Sequence, residues 1–282
     1  MNRLCCLLTA TVALLGNLPA ALAAQKLNMQ RQDGTSVKAM SYSPQGACRG
    51  IALVSPGAGG NEKGYDYLGD ALSSQGYLAV VIGHPESSRS EVRRHSRGKS
   101  TSEGLEELIT EPEAYQGRYQ DIDVYRQWAQ ARCPASQSLL VGHSMGAITT
   151  LMQAGARNHI GMPATELFSA YIALSPQGSG QIFPPNAWSA ISRPVLMITG
   201  TRDGDLGGAT WQTRTEPFQN MSGGCKWLAV IEGATHLNFA GKGISRKVET
   251  LTTRTMGAFL EGLKRGDCRY VTPIQGITVQ TK

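Results

Sequence analysis

An α/β fold, with a mostly parallel central sheet and helices on both faces, is predicted for this chain by two observations. Short apolar runs alternate with longer stretches of helical spacing, the rhythm of strands buried on both faces and joined by crossover helices. Residues 142–146, Gly-His-Ser-Met-Gly, place a serine between two glycines where an apolar run gives way to a helix-compatible pattern. A strand that turns into a helix within one residue strains that residue's backbone, and its neighbours must be nearly free of side chain. Ser144 would then project from the carboxyl end of its strand, where chemistry collects in such sheets.

The elements follow in order. Residues 27–43 alternate weakly in polarity around Asp33-Gly34, a turn dipeptide, and predict an antiparallel hairpin. Ile51 to Val54 is a buried strand that stops at the glycine-rich loop Ser55 to Gly60. Tyr65 to Gln75 has helix spacing and ends at Gly76, a helix stop signal. Tyr77 to Ile82 is the next strand, and a polar insertion at about 84–117 follows it. Arg118 to Ala131 predicts an amphipathic helix whose apolar positions are Ile122, Val124, Tyr125, Trp128 and Ala129. Leu139 to Val141 is the strand before Ser144, and Ala147 to Met152 begins the helix after it. Strands are expected at Tyr171 to Leu174, ending in Ser175-Pro176; at Val195 to Thr199, ending in Gly200; and at Trp227 to Ile231, ending in Glu232-Gly233. A helix from Thr250 to Leu263 is expected to close the chain. No internal repeat, low-complexity tract or linker divides the sequence, so residues 24–282 are expected to form one domain.

Residues 1–23 have the three-part layout of a secretory signal: Arg3, an apolar stretch from Leu4 to Leu18 that is short for a membrane span, and Ala21-Leu22-Ala23 at the cut. A secreted or periplasmic protein is expected, with no membrane span once the signal is removed. Arg3 is the only charged residue of that segment, so the formal charge falls from +6 to +5. Four cysteines then remain, Cys48, Cys133, Cys225 and Cys268, an even number suited to an oxidising compartment. Cys225 and Cys268 both fall late and are expected to pair, which leaves Cys48 for Cys133; spacing by itself admits three pairings. None of the four stands at zinc-ligand spacing. The insertion carries Arg89, Arg93, Arg94, Arg97 and Lys99, then Glu103, Glu106, Glu107, Glu111 and Glu113. Its two halves are expected to attract each other, and no interleaved aromatics support nucleic-acid binding.

A serine hydroxyl is a poor nucleophile at neutral pH unless a base takes its proton and a third group orients that base. His236 directly follows the last of these strands and is the histidine best placed for Ser144. Asp203 and Asp205 both follow the strand Val195 to Thr199; Asp203 comes one short turn after the strand end and is preferred, while Asp205 is the alternative. Acyl transfer also needs two backbone donors for the oxyanion. The Met145 N–H, next to the nucleophile, is one candidate, and the Ala58 N–H in the loop Ser55 to Gly60 is the other.

Together SPGAGG at 55–60, ALSSQGYLAVVIGHP at 71–85, GHSMGA at 142–147, ITGTRDGD at 198–205 and EGATHLNF at 232–239 carry a resemblance. From about residue 27 to 265 the chain resembles secreted α/β-hydrolases of the dienelactone-hydrolase-like group, which includes platelet-activating-factor acetylhydrolase-like and polyester-hydrolase-like esterases. The resemblance implies an α/β-hydrolase fold and a Ser-His-Asp serine esterase that needs no cofactor or metal. Dienelactone hydrolases use a cysteine where Ser144 stands, so dienelactone is not the expected substrate. Polyester hydrolases carry an aromatic residue soon after the strand at 171–174, where this chain has Ser175-Pro176-Gln177-Gly178, so no polymer-binding clamp is expected there. Trp188 and Trp211 could line the cleft from elsewhere, but core packing is the expected fate of both. Only about residues 155–170 separate the serine helix from the next strand, which leaves a minimal lid and an open site for small-molecule or lipid-like esters of short to medium acyl chain. Two other readings share these residues: an amidase or thioesterase with the same triad, and a non-catalytic binding protein on the same fold.

Overall fold

The computed structural model describes residues 24–204, 208–241, 245–269 and 273–282. Among the described residues nine strands form one sheet in the order β1-β2-β4-β3-β5-β6-β7-β8-β9. The strands are β1 (Gln25–Gln30), β2 (Ser36–Tyr42), β3 (Gly50–Ser55), β4 (Tyr77–Ile82), β5 (Gln137–His143), β6 (Ala170–Leu174), β7 (Val195–Arg202), β8 (Lys226–Thr235) and β9 (Ile277–Thr281). From β4 to β8 every pairing is parallel, and β1, β2 and β9 join antiparallel at the edges. The helices are α1 (Asp66–Ser74), α2 (Arg89–His95), α3 (Thr101–Leu108), α4 (Pro112–Arg132), α5 (Met145–Gln153), α6 (Glu216–Asn220) and α7 (Arg246–Arg265).

Why the strands read as unbroken apolar runs is visible in their alternation. Ile51, Leu53, Val80 and Leu140 enter one buried layer, which also holds residues of α4 and α5. Ala52, Val54, Val81 and Val141 enter the other, with residues of α1 and α7. Strands covered on both faces have no polar side to show. The chain runs from β3 outward to β4 and then returns past β3 to β5, so the ends of β3 and β5 lie side by side, with Ser55 opposite Gly142. That reversal is a topological switch point, where such sheets open a crevice.

Four expectations need correction. α4 begins at Pro112, six residues before Arg118, because a proline at the first helical position is pre-set for a helix start; within it Val124 and Trp128 are only half-buried. The insertion before it is largely helical, with α2 and α3, and Ser100 and Glu103 cap α3 reciprocally. β7 and β8 run past Gly200 and Glu232-Gly233, paired as far as Arg202 opposite Thr235 through a register shift. α7 does not close the chain: β9 follows and pairs antiparallel with β8, its alternate residues half-buried as suits an edge strand. The hairpin of β1 and β2 is antiparallel, as expected. The cysteines pair as Cys48 with Cys133 and Cys225 with Cys268. No helix among the described residues is long and apolar enough to cross a membrane. Residues 1–23, where a signal peptide is expected, and Asp205 lie outside the described residues.

Candidate active site

Ser144 connects β5 directly to α5 with φ 55° and ψ −119°, a backbone region that costs a non-glycine residue about 1–3 kcal/mol. The flanking glycines are sterically required. A Cβ on Gly142 would stand 2.0 Å from the Gly146 carbonyl oxygen, and one on Gly146 would stand 1.9 Å from that of Ser55. The turn is pinned from the neighbouring strand as well, since the Ser144 N–H donates to the Leu174 carbonyl at 3.0 Å.

Three of the residues singled out by sequence meet here. Ser144 Oγ lies 2.9 Å from His236 Nε2, and His236 Nδ1 lies 3.0 Å from Asp203 Oδ1. A carboxylate only accepts, so Nδ1 carries the imidazole proton and Nε2 accepts from the serine hydroxyl. His236 opens a 3₁₀ turn, His236–Ala240, which Thr235 and Asn238 cap reciprocally. Asp203 is fully buried. Its Oδ2 accepts from Ser175 Oγ at 2.6 Å and Thr199 Oγ1 at 2.9 Å, and Arg214 Nε lies 3.0 Å from Oδ1. Burial pushes this carboxyl up, but the hydrogen bond to His236, the Arg214 charge and Ser175 outweigh it and hold the group below its ordinary range.

Sequence reasoning missed the residues that hold Asp203. Ser175 reads as a strand end followed by proline, yet it adopts φ 51° and turns its hydroxyl onto the carboxylate. Arg214 comes from a 3₁₀ turn eleven residues beyond Asp203 and donates to the carbonyls of Asp203, Ser175, Pro176 and Gly204. No local pattern marks either residue, because their partners are distant in the chain. Trp188 is in the core beside Phe183, as expected, whereas Trp211 is only half-buried and packs against the core from outside it.

The loop after β3 approaches Ser144 closely: a Cβ on Gly57 would stand 3.1 Å from that of Ser144. Its backbone is tied at several polar groups. Gly57 N–H donates to Tyr65 Oη, Gly59 N–H to the Ser87 carbonyl and Gly60 N–H to the Gly57 carbonyl, while the Pro56 carbonyl accepts from Arg118. Among the described residues the N–H groups of Ala58 and Met145 donate to no protein acceptor.

Beneath this loop lies a buried polar network that the sequence did not announce. Arg118, fully enclosed, donates to Ser55 Oγ at 3.0 Å, the Pro56 carbonyl at 2.8 Å and Ser87 Oγ at 2.7 Å. Ser55 Oγ lies 2.9 Å from His84 Nε2, and His84 Nδ1 lies 2.8 Å from Asp121 Oδ2. Arg31 closes the network on Asp121 and Glu86. Burial, reinforced by the Arg118 charge, pushes His84 down to about 4, so it is neutral at pH 7. Although these contacts repeat a serine-histidine-aspartate order, Ser55 is sealed from solvent and reaches no substrate. The available signal was Arg118 and Asp121 on the face of α4 that also buries Ile122, Tyr125 and Ala129: two charges in an apolar stripe need partners.

In the insertion the two halves attract each other as expected. Lys99 pairs with Glu107, and His95, itself buried, lies 3.3 Å from both Glu107 and Glu111. α2 rests on the loop after β3, Val92 Cγ2 standing 3.5 Å from where a Cβ on Gly59 would be.

No family model matches the chain. It is 22% identical over 258 residues to a cutinase, est1, of Thermobifida alba, covering 89% of this chain and 73% of that one. Among solved structures, a putative dienelactone hydrolase from Klebsiella pneumoniae superposes with a TM-score of 0.58 at 17% identity, covering 84% of this chain and 98% of the other. A serine hydrolase without a lid from Xanthomonas campestris superposes with a TM-score of 0.54 at 17% identity, covering 89% and 97%. The strand order, the turn at Ser144 and these superpositions define the class: the chain has the α/β-hydrolase fold. Its neighbours within that fold include dienelactone-hydrolase-like proteins, and its distant sequence relatives are cutinases.

Proposed function

We propose that this chain is a secreted serine hydrolase that cleaves carboxylic esters of short to medium acyl chain through an acyl-enzyme. The observation that carries the reading is the hydrogen-bonded line Ser144–His236–Asp203, with the unengaged N–H groups of Ala58 and Met145 in the loops beside it. On this reading Ser144 Oγ attacks the ester carbonyl while its proton passes to His236 Nε2. The negative charge that forms on the carbonyl oxygen is held by the two N–H groups, which need no reorganisation. Asp203 stays ionised and stabilises the imidazolium. His236 then returns the proton to the leaving alkoxide, and a water activated by the same nitrogen hydrolyses the acyl-serine. The names of the cutinase relatives support ester chemistry. Leu237, next to His236 in the chain and 63% exposed, is available as an apolar contact for a substrate chain. Two disulfides suit a protein released into an oxidising compartment.

Hydrolysis of a series of p-nitrophenyl esters by the purified protein and by Ser144→Ala tests the reading. Turnover of short chains that is lost in the variant, with wild-type labelling by a fluorophosphonate, is the expected result. A folded wild type that neither turns over an ester nor takes the label would overturn it.

A further inference from the structure

His143 directly precedes Ser144, and its ring nitrogens bond to Tyr65 and to the His236 backbone rather than to the nucleophile. It is nearly fully buried, and its two nitrogens face the two sides of the site. Nε2 lies 3.1 Å from the carbonyl oxygen of His236, and Nδ1 lies 2.8 Å from Tyr65 Oη. Tyr65 Oη in turn accepts from the Gly57 N–H at 3.1 Å. The polarity of this chain of contacts has one solution. A carbonyl can only accept, so Nε2 carries the proton; the neutral ring then offers a lone pair at Nδ1; Tyr65 O–H donates to it; and the Tyr65 oxygen is left to accept from Gly57. Burial, the largest influence, together with the His236 charge holds this imidazole well below its ordinary range, which agrees with the neutral form.

The rings follow the same path. His143 stands 5.7 Å from Tyr65 and 4.9 Å from His236 between centroids. Tyr65 itself sits at φ 63° before α1, a conformation unusual for a bulky residue. A second strut leaves the same turn, where Tyr67 Oη donates to the Phe239 carbonyl at 2.9 Å, three residues beyond His236.

We propose that Tyr65 and His143 are positioning residues that brace the loop carrying Ala58 against the backbone of His236, so that the oxyanion donor and the general base are set as one unit. This rests on the proposed function above. In that reaction the negative oxygen and the imidazolium form in the same step, and their separation must suit the same tetrahedral centre. Small errors of placement are costly for such groups. A brace through the residue adjacent to the nucleophile ties both to Ser144.

The test uses Tyr65→Phe, which removes one hydroxyl and keeps the ring, His143→Phe and the double variant. We measure kcat and KM for a short-chain p-nitrophenyl ester, thermal midpoints, and imidazole nitrogen shifts by NMR. The expected result is a loss of about tenfold or more in kcat for Tyr65→Phe, with KM changed by less than about twofold. The double variant should be no slower than the slower single variant, because both substitutions cut one line of contacts. In wild-type protein His143 should be protonated at Nε2 alone, and the His236 ring resonances should shift in Tyr65→Phe. A Tyr65→Phe variant of reduced thermal midpoint but unchanged kcat would overturn the brace, as would losses that multiply in the double variant or a proton on His143 Nδ1. A wild type inactive on every ester would instead overturn the functional reading, while the nitrogen shifts still report on the brace.

Discussion

Asp203 receives two hydroxyls, an imidazole and a guanidinium, and each of these favours the charged carboxylate over the protonated one. Its Oδ1 fixes the His236 tautomer, which the proposed mechanism needs at every step. Asp203→Asn preserves shape but brings an amide that donates toward Nδ1, moving the ring proton to Nε2, where it blocks acceptance from Ser144. We expect kcat to fall by about ten-thousand-fold, with the fold retained. Parallel measurement of ester turnover and circular dichroism checks this, and a variant within about tenfold of wild type would remove Asp203 from the mechanism. At this scale the sequence was informative wherever chain order sufficed: Ser144, Asp203 and His236 each follow a strand. It was silent on Ser175, Thr199, Arg214 and Tyr65, whose roles depend on where a hydroxyl or guanidinium points after folding.

Among the elements, α4 matters most to the loop beside Ser144. One of its faces buries Arg118 and Asp121 against the ends of β3 and β4, where His84 and Ser55 complete the network. In its neutral state His84 accepts from the Ser55 hydroxyl, which accepts from Arg118. A proton on Nε2 would leave Ser55 facing two donors and would place a second cation beside Arg118. His84 titrates near 4 in the folded protein and near 6.5 in an unfolded chain, so between these values the unfolded state binds more protons. The stability due to the neutral ring is therefore complete above about 6.5 and is lost as the pH falls toward about 4, amounting to about 3 kcal/mol over that window. Urea unfolding of wild type and His84→Gln at several pH values checks this. The variant should show the shallower dependence, and equal slopes would contradict the assignment. α4 also shows why element ends were hard to read. Its first turn falls in a charged, polar stretch, and the proline that starts it can serve equally in a loop.

For the whole molecule, the order of strands decides where the chemistry lies. The reversal between β4 and β5 brings the end of β3 beside the end of β5, so the loop with Ala58 faces Ser144 although 86 positions separate them in the chain. The disulfide between Cys48 and Cys133 ties the starts of these same two strands, a strand length or about 20 Å from the site. It closes a span of 85 residues, for which loop-closure entropy predicts about 4.5 kcal/mol of stabilisation. Replacing both cysteines by alanine should lower the thermal midpoint clearly while leaving kcat/KM at 25 °C within about twofold. A large loss of activity in the still-folded variant would show that the strand ends are less rigid than this argument requires.

The alternation of apolar runs, the glycines around Ser144 and the order serine, aspartate, histidine were sufficient to define the fold class and the three residues of the candidate site. These are local signals, since period, turn chemistry and position after a strand can all be read within a few residues. Tertiary structure alone decided the rest: the cysteine pairing, the edge strand β9, the buried line from Arg118 to Asp121, and the contacts of His143 with Tyr65 and His236. Each depends on which distant segments the sheet brings together, and a buried donor or acceptor finds its partner across that distance because leaving it unpaired is costly.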